Sequence, residues 1–573
     1  MSVPILDNQL QMFDFKGLNI NVPKDLIDDD QLTVAKNVLI RDGRIKKRMG
    51  IKLWKQYTFL EPPVAAQEFG RLVFLGFFTN SSRAEFYFYD TFRDSIYVSL
   101  DGITLSRRSN VDDVNAIYSN LLTPKNATSA TRPIIALQIG ANSRIVLINS
   151  FANGDGALTV AANCLGVPGK LLEHLDRFWI GQSDTLCYSN PGDITTMGIS
   201  GGTNNIILPD QVWDIISIED KILILTSDNL FVLNISGSPR NWSLSRLHTF
   251  SKKLDEFMSN PTISIFVTNS TSCAKNFVEL DGSIYFLHPE GLYQTNGSEV
   301  IKLSDPVNPY FYQPTNYTRS SINLSIFSYR KKELIIKLTG KVDDDVNNQV
   351  KYLIYNTVSG SWSKVELAMT TPGSAPIFDP AFSSNNLDGI PHYTYDLVGF
   401  FHLFTSVEET APSSYVDAIA AEGLNEDIAG TFAMTSNITN EPNKLFFFPE
   451  YEEEWIYSDD GNLYESEIET KTFDLGYRGI NKKIIKEYLS IDVPADVDLD
   501  VTHVVNGTNQ PPKRITPNAS TRMMKIGGPG YFQEVAVNIA DSAVVEDDQD
   551  GWELQTIGLD IINKAEQLKG VGN

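Results

Sequence analysis

At 573 residues the chain is too long for one ordinary core, so it holds three or four domains or one large β architecture. With 42% hydrophobic and 11% aromatic residues, 38 Gly and 27 Pro, disorder throughout is excluded, and many short strands between turns fit better than long helices. The formal net charge of −24 is uneven: residues 401–573 hold 31 acidic against 12 basic side chains, and residues 1–400 contribute only −5, so the carboxyl-terminal third repels nucleic-acid phosphate.

The amino terminus, MSVPILDNQLQMFDFKG, has no basic region followed by an apolar run of signal length. No later segment reaches about 18 uninterrupted apolar residues. A soluble protein folded in a cytosol, without a membrane anchor, is expected. Cys164, Cys187 and Cys273 are odd in number and far apart, so they read as small buried hydrophobes and not as a disulfide framework or metal site.

Next comes NVLIRDGRIKKRMG, Asn37 to Gly50, which places Arg41, Arg44, Lys46, Lys47 and Arg48 close together. Asp42-Gly43 between two β-prone arms is a strong hairpin signal. In that register Ile40 faces Ile45 and Arg41 sits opposite Arg44, like charges that cost stability unless an anion lies close. Two sources of that anion are open: the nearby Asp25, Asp28, Asp29 and Asp30, or an acidic neighbouring subunit on which the five basic residues dock. A nucleic-acid or targeting signal fits less well, because the basic residues occupy a patterned hairpin of an acidic protein.

From about residue 60 onward, short aromatic or β-branched runs alternate with Gly, Asn, Asp and Ser turns. Four units look alike: LDRFWIGQSDTLCYSN from 175, EDKILILTSDNLFVLN from 219, LDGSIYFLHPEGLYQTNG from 280, and YRKKELIIKL with its returning KYLIYNTVSGSWSKVEL from 329. Starts 44, 61 and 49 residues apart suit antiparallel propeller blades better than the shorter intervals of a β-sandwich. Segments 70–100, 133–160 and 443–468 fit as further blades, which gives six or seven. The fold class expected is all-β: a propeller over 61–470, preceded by an arm and basic hairpin over 1–60.

Residues 405–442 break the pattern. Polar and rich in small residues, they read as an exposed insertion. Residues 471–573 form a separate small sandwich-like β domain, with Val493, Val497, Leu499 and Val501 alternating with acids. Glu452, Glu453, Glu454, Asp547 and Asp548 are candidates for an acidic channel or tip surface in this third of the chain.

Catalytic patterns are sparse. There is no GxSxG elbow, no GxxxxGK[ST] or GxGxxG loop, and the six histidines fall singly. His288 in YFLHPEG reads as a structural residue. Asp496, Asp498 and Asp500 match the first spacings of a calcium loop, but Val501 and Gly507 stand where Gly and Glu are needed, so DVDLDV reads as the solvent face of a strand. A propeller glycosidase would need two carboxylates at the channel end, and sequence selects no pair among 71 acids. No enzyme, cofactor or metal is expected.

Residues 17–51, GLNINVPKDLIDDDQLTVAKNVLIRDGRIKKRMGI, resemble the opening of tail proteins from short-tailed bacteriophages. The likeness continues through HLDRFWIGQSDTLCYSNPGD, FVELDGSIYFLHPEGLYQTNG, YNTVSGSWSKVEL, TKTFDLG and GWELQTIGLDI. Such proteins form the tail nozzle or hub and are also described as packaged-DNA stabilisation or tail tubular protein B-like proteins. The resemblance implies a propeller with an added β domain in a sixfold ring below the portal and adaptor. It further implies a channel through which genomic DNA passes transiently, lateral docking of fibres or spikes, and a place in the virion tail after assembly in the host cytoplasm. An acidic wall would let DNA slide without sticking. The alternative function is a propeller adhesin for a host glycan or receptor.

Overall fold

The computed structural model describes residues 8–50, 204–251, 277–311 and 351–366 almost without interruption. It also describes most of 170–197, 332–339, 457–474, 481–515, 530–541 and 551–563, and elsewhere the strands alone. Among the described residues strands dominate, and the helical elements are single short turns such as Asn308–Phe311.

Among the described strands, seven units with four antiparallel strands each follow one another, and two carry a short extra strand, Thr58–Phe59 parallel to blade 1 and Asn205–Ile207 beside blade 3. Blade 1 spans 72–110, blade 2 116–160, blade 3 170–197, blade 4 212–249, blade 5 277–302 and blade 6 323–365. Blade 7 takes three strands from 396–449 and its fourth, Lys52–Gln56, from the amino-terminal region. The first strands touch in order: Leu72–Asn80, Ala116–Leu122, Lys170–His174, Val212–Ile218, Phe277–Leu280, Asn323–Tyr329 and Asp396–Thr405, which returns to Leu72–Asn80. A neighbour chain that closes on itself is a seven-bladed β-propeller, and mixing early and late strands in blade 7 fastens the ring.

The packing follows from runs that are apolar on both faces. Ile222, Leu223, Ile224 and Leu225 in blade 4 are all fully buried. Leu223 and Leu225 join Phe277, Ile284 and Phe286 of blade 5, while Ile222 and Ile224 join Trp179, Leu186 and Tyr188 of blade 3. Blade 4 is thus glued to both neighbours by alternate residues of one strand. The turns that mark the repeats are tight: Asp281 and Gly282, between the first two strands of blade 5, have φ of 50° and 73°, the left-handed pair a two-residue hairpin requires.

The second unit is a two-sheet sandwich drawn from both ends of the chain. One sheet has seven strands: the central Lys482–Asp492 and Glu553–Asn563 are joined by Asn8–Met12, Val38–Arg41, Arg44–Lys47, Met524–Ile526 and Tyr531–Phe532. The facing sheet has eleven strands and includes all of blade 6. The outer strand of blade 6, Trp362–Val365, continues through Gly17–Leu18 and Gln31–Lys36 to Glu467–Thr470, Val535–Asp541 and Leu499–Val505. Propeller and sandwich therefore share one uninterrupted sheet and one hydrophobic core, in which Leu334, Leu353 and Trp362 of blade 6 meet Ile40, Ile45, Ile468, Val537 and Ile557.

Three boundaries differ from the sequence expectation. Within the span read as an extended arm and basic hairpin, residues 8–47 contribute five strands to the two sheets of the sandwich, because their apolar positions fill the core between them. The carboxyl-terminal β unit begins at 467, not 471, and is completed only by those strands. Part of the segment read as an insertion is strand: Ile428–Ser436 pairs with Asp396–Thr405 and Lys444–Pro449 inside blade 7. Thr405 ends the strand Asp396–Thr405, and residues 406–427 and 437–442 lie outside the described residues.

Candidate functional site: the basic hairpin

The hairpin forms in the expected register, with Ile40 opposite Ile45 and Arg41 opposite Arg44. Asp42 and Gly43 supply the turn at φ of 49° and 70°. Ile40 and Ile45 are buried, so one face of the hairpin is core and the other bears charge. A Cβ on Gly43 would lie 2.5 Å from Asp14 Oδ1 and 2.7 Å from its Cα, and Phe15 donates its backbone N–H to the Gly43 carbonyl at 3.0 Å. The tip of the hairpin is thus capped by residues 14 and 15.

Each of the five basic side chains meets a carboxylate of the same chain. Arg41 forms a two-pronged pair with Glu333 of blade 6, Nε to Oε1 at 2.8 Å and Nη2 to Oε2 at 2.9 Å. Arg44 and Lys46 share Glu553, at 2.8 and 2.9 Å, so the repulsion between Arg41 and Arg44 is relieved by sending each to a different anion. Lys47 reaches Asp541 at 2.5 Å. The Asp541 carboxylate also accepts the Ser466 backbone N–H and hydroxyl at 2.6 and 2.8 Å and the Trp552 indole N–H at 3.3 Å. The upstream aspartates named as possible partners go elsewhere in two cases: Asp30 pairs with Lys16 and Asp29 with Lys471.

Arg48 is the deepest of the five, 3% exposed, against a fully buried Asp459. Its five N–H donors all have acceptors: Asn37 Oδ1, the carbonyls of Met49 and Glu366, and both oxygens of Asp459. The guanidinium lies 3.7 Å from the centroid of the Tyr464 ring, and the Tyr464 hydroxyl donates to the Arg48 carbonyl. Burial pushes the Tyr464 hydroxyl well above its ordinary pKa, so it remains a donor. A planar fork with every donor satisfied is the geometry in which a buried arginine is tolerated.

Asn37 organises the approach to this pair. Its backbone is left-handed at φ 53°, a conformation asparagine accepts more readily than most residues. Its Oδ1 accepts from Arg48 Nε at 3.0 Å and the Glu366 backbone N–H at 2.8 Å, and its Nδ2 donates to the Glu465 carbonyl at 2.7 Å. Glu366 itself takes Lys364 at 2.5 Å and Lys36 at 2.9 Å. Burial alone would raise the Glu366 pKa, but the two ammonium groups outweigh it and hold the carboxyl below its usual value. Glu553 is held down in the same way by Lys46 and Arg44.

Exposure sorts the five docking candidates. Arg44 is 52% exposed, while Arg41, Lys46 and Lys47 are 29%, 26% and 12% exposed. The fully packed Arg48 fastens the outer end of blade 6 and the segment 457–466 to the hairpin. Sequence reading missed Asn37, Asp459, Tyr464, Ser466 and Trp552. The candidate acidic residues Glu452, Glu453, Glu454, Asp547 and Asp548 lie outside the described residues.

Other flagged positions are accounted for by packing. Asp498 and Asp500 alternate with buried Val497, Leu499 and Val501 and face Arg514. His288 is buried and stacked on Phe250, centroids 3.9 Å apart, with Nδ1 accepting the Glu290 N–H; burial lowers its pKa to about 3. Cys187 is buried and its thiol pKa is pushed up by that burial. Among the described residues, no helix is long and apolar enough to cross a membrane.

No family model matches the chain, and no curated protein does. Among solved structures, the N-terminal domain of Nup159 overlaps 70% of this chain and 88% of its own at 12% identity and a TM-score of 0.33. BBS1N, solved in complex with ARL6DN, overlaps 70% and 98% at 11% identity and a TM-score of 0.35. An exo-β-1,3-galactanase from Phanerochaete chrysosporium overlaps 89% and 99% at 9% identity and a TM-score of 0.25. At these scores the overlaps carry no argument, and the propeller rests on its closed ring of first strands.

Proposed function

We propose that this chain is a structural, non-enzymatic subunit of the tail of a short-tailed bacteriophage, in the nozzle or hub that extends the DNA exit channel below the portal and adaptor. The observation that carries the reading is the continuous sheet running from blade 6 into the sandwich, locked by Arg48 and Asp459. A propeller with an added β domain is the architecture that the resemblance of residues 17–51 and the later segments implies, and a subunit under the pressure of packaged DNA has to transmit load without hinging. The acidic carboxyl-terminal third suits a wall past which DNA slides.

Docking to the adaptor falls chiefly to Arg44, the most exposed of the five basic residues. The test is electron microscopy of the purified chain with and without neighbouring tail proteins. Rings that join the adaptor support the reading. A protein that ignores the adaptor and instead binds host cells points to the adhesin, and turnover of capsular or cell-wall sugar points to a glycosidase.

A further inference from the structure

The outer face of the seven-stranded sheet differs in charge from the chain as a whole. Along Lys482–Asp492, Lys482, Ile484, Glu487, Leu489 and Ile491 face the core, while Lys483, Ile485, Lys486 and Tyr488 face outward. A register shift between Ile484 and Lys486 puts Ile485 and Lys486 side by side on the outside. Tyr531, opposite Lys483, is 50% exposed, and Ile485 is 38% exposed. Lys483 lies 5.9 Å from the Tyr531 ring centroid. The Tyr488 ring rests on Gly558, where a Cβ would meet it at 2.1 Å. Of the carboxylates on this face, Asp560 stands opposite Lys486 and is 6% exposed, Glu553 is taken by Arg44 and Lys46, and Asp492 stands opposite Glu553. Neither Lys483 nor Lys486 has an ion pair among the described residues.

We propose that this face, Lys483, Ile485, Lys486, Tyr488 and Tyr531, is the surface on which a second copy of the chain docks through one of its acidic runs. Two ammonium groups beside exposed aromatic and aliphatic surface suit carboxylates with an apolar neighbour. The complementary element is in the same sequence: Glu452-Glu453-Glu454 and Glu546-Asp547-Asp548 both belong to the third that carries most of the net charge of −24. Nucleic acid fits worse, since two lysines do not offset that charge against a phosphate backbone. A basic face meeting a different, acidic patch is a heterologous contact, which closes into rings or propagates as open chains.

The experiment is sedimentation velocity of the full chain over a range of concentrations, alongside a Lys483→Glu/Lys486→Glu variant whose fold is checked by circular dichroism and melting temperature. The wild type should self-associate at about 0.1 M salt and weaken about tenfold or more near 1 M, as the screening length falls from about 10 to about 3 Å. The variant should stay monomeric. If the charge reversal disturbs folding, Lys483→Gln/Lys486→Gln serves instead, with the same expectation. A monomeric wild type, equal association by the variants, or duplex DNA binding that the variants lose without any self-association each overturns the proposal. Association through this face without adaptor binding would keep it and remove the tail reading, so the two fail separately.

Discussion

Arg48 and Asp459 are 411 positions apart in sequence and form a two-pronged ion pair that is 3% and 0% exposed. Around it meet the hairpin, the chain leaving blade 6 and the segment 457–466. Removing one partner strands a buried charge and several hydrogen-bond donors or acceptors, so Arg48→Ala should cost about 3–5 kcal/mol. Arg44→Ala, at a half-exposed pair, should cost less than about 1 kcal/mol. Urea denaturation of the two variants side by side measures the difference, and equal losses would mean that Arg48 is not the joint.

The hairpin tip gives a sharper steric test. Gly43 sits at φ 70° with Asp14 where a Cβ would go, so Gly43→Ala combines left-handed strain with a clash and should destabilise by roughly 1–3 kcal/mol. Gly507, also at positive φ but with open space around its would-be Cβ, is the control: Gly507→Ala should lose only the smaller, conformational part. Melting temperatures of the two variants decide it.

Acid should loosen the hairpin. Burial pushes the Glu366 and Glu553 carboxyls up, but Lys364 and Lys36 in one case and Lys46 and Arg44 in the other more than compensate, so both folded-state values lie below the ordinary 4.5. A depressed carboxylate contributes stability that is present above the unfolded value and lost as pH falls through the folded one. The melting temperature should therefore decline as pH drops below about 4.5. Lys46→Gln/Arg44→Gln should flatten the part of that decline due to Glu553, and an unchanged profile would assign the acid response to other groups.

Removing residues 1–50 deletes strands from both sheets of the sandwich. The remaining chain should lose the cooperative transition of the carboxyl-terminal unit and become sensitive to proteases after residue 465. Adding residues 8–50 as a separate peptide should restore protection. Protection that survives the deletion would show that the sandwich does not need those strands.

Local features were legible in the sequence, whereas distant ones were not. The Asp42-Gly43 pair sets the register of the hairpin because left-handed conformation at two adjacent positions is a local property, and the turns at 175 and 281 mark blades for the same reason. The partners of the basic residues were hidden, since Glu333, Asp459, Asp541 and Glu553 are placed by the closing of sheets hundreds of positions away. The strand Ile428–Ser436 alternates Ile428, Gly430, Phe432 and Met434 with Ala429, Thr431, Ala433 and Thr435, a strand period that its Gly, Ala and Thr content made look like loop. Lys52–Gln56 carries no local sign that it pairs with Lys444–Pro449.

That propeller and sandwich form one rigid body is tested most directly by pulsed electron–electron resonance between spin labels at Ser236→Cys on blade 4 and Asn509→Cys on the sandwich, with Cys164, Cys187 and Cys273 replaced by serine. A single narrow distance distribution is predicted, broadening when Arg48→Ala is added. A broad or two-peaked distribution with Arg48 intact would contradict it.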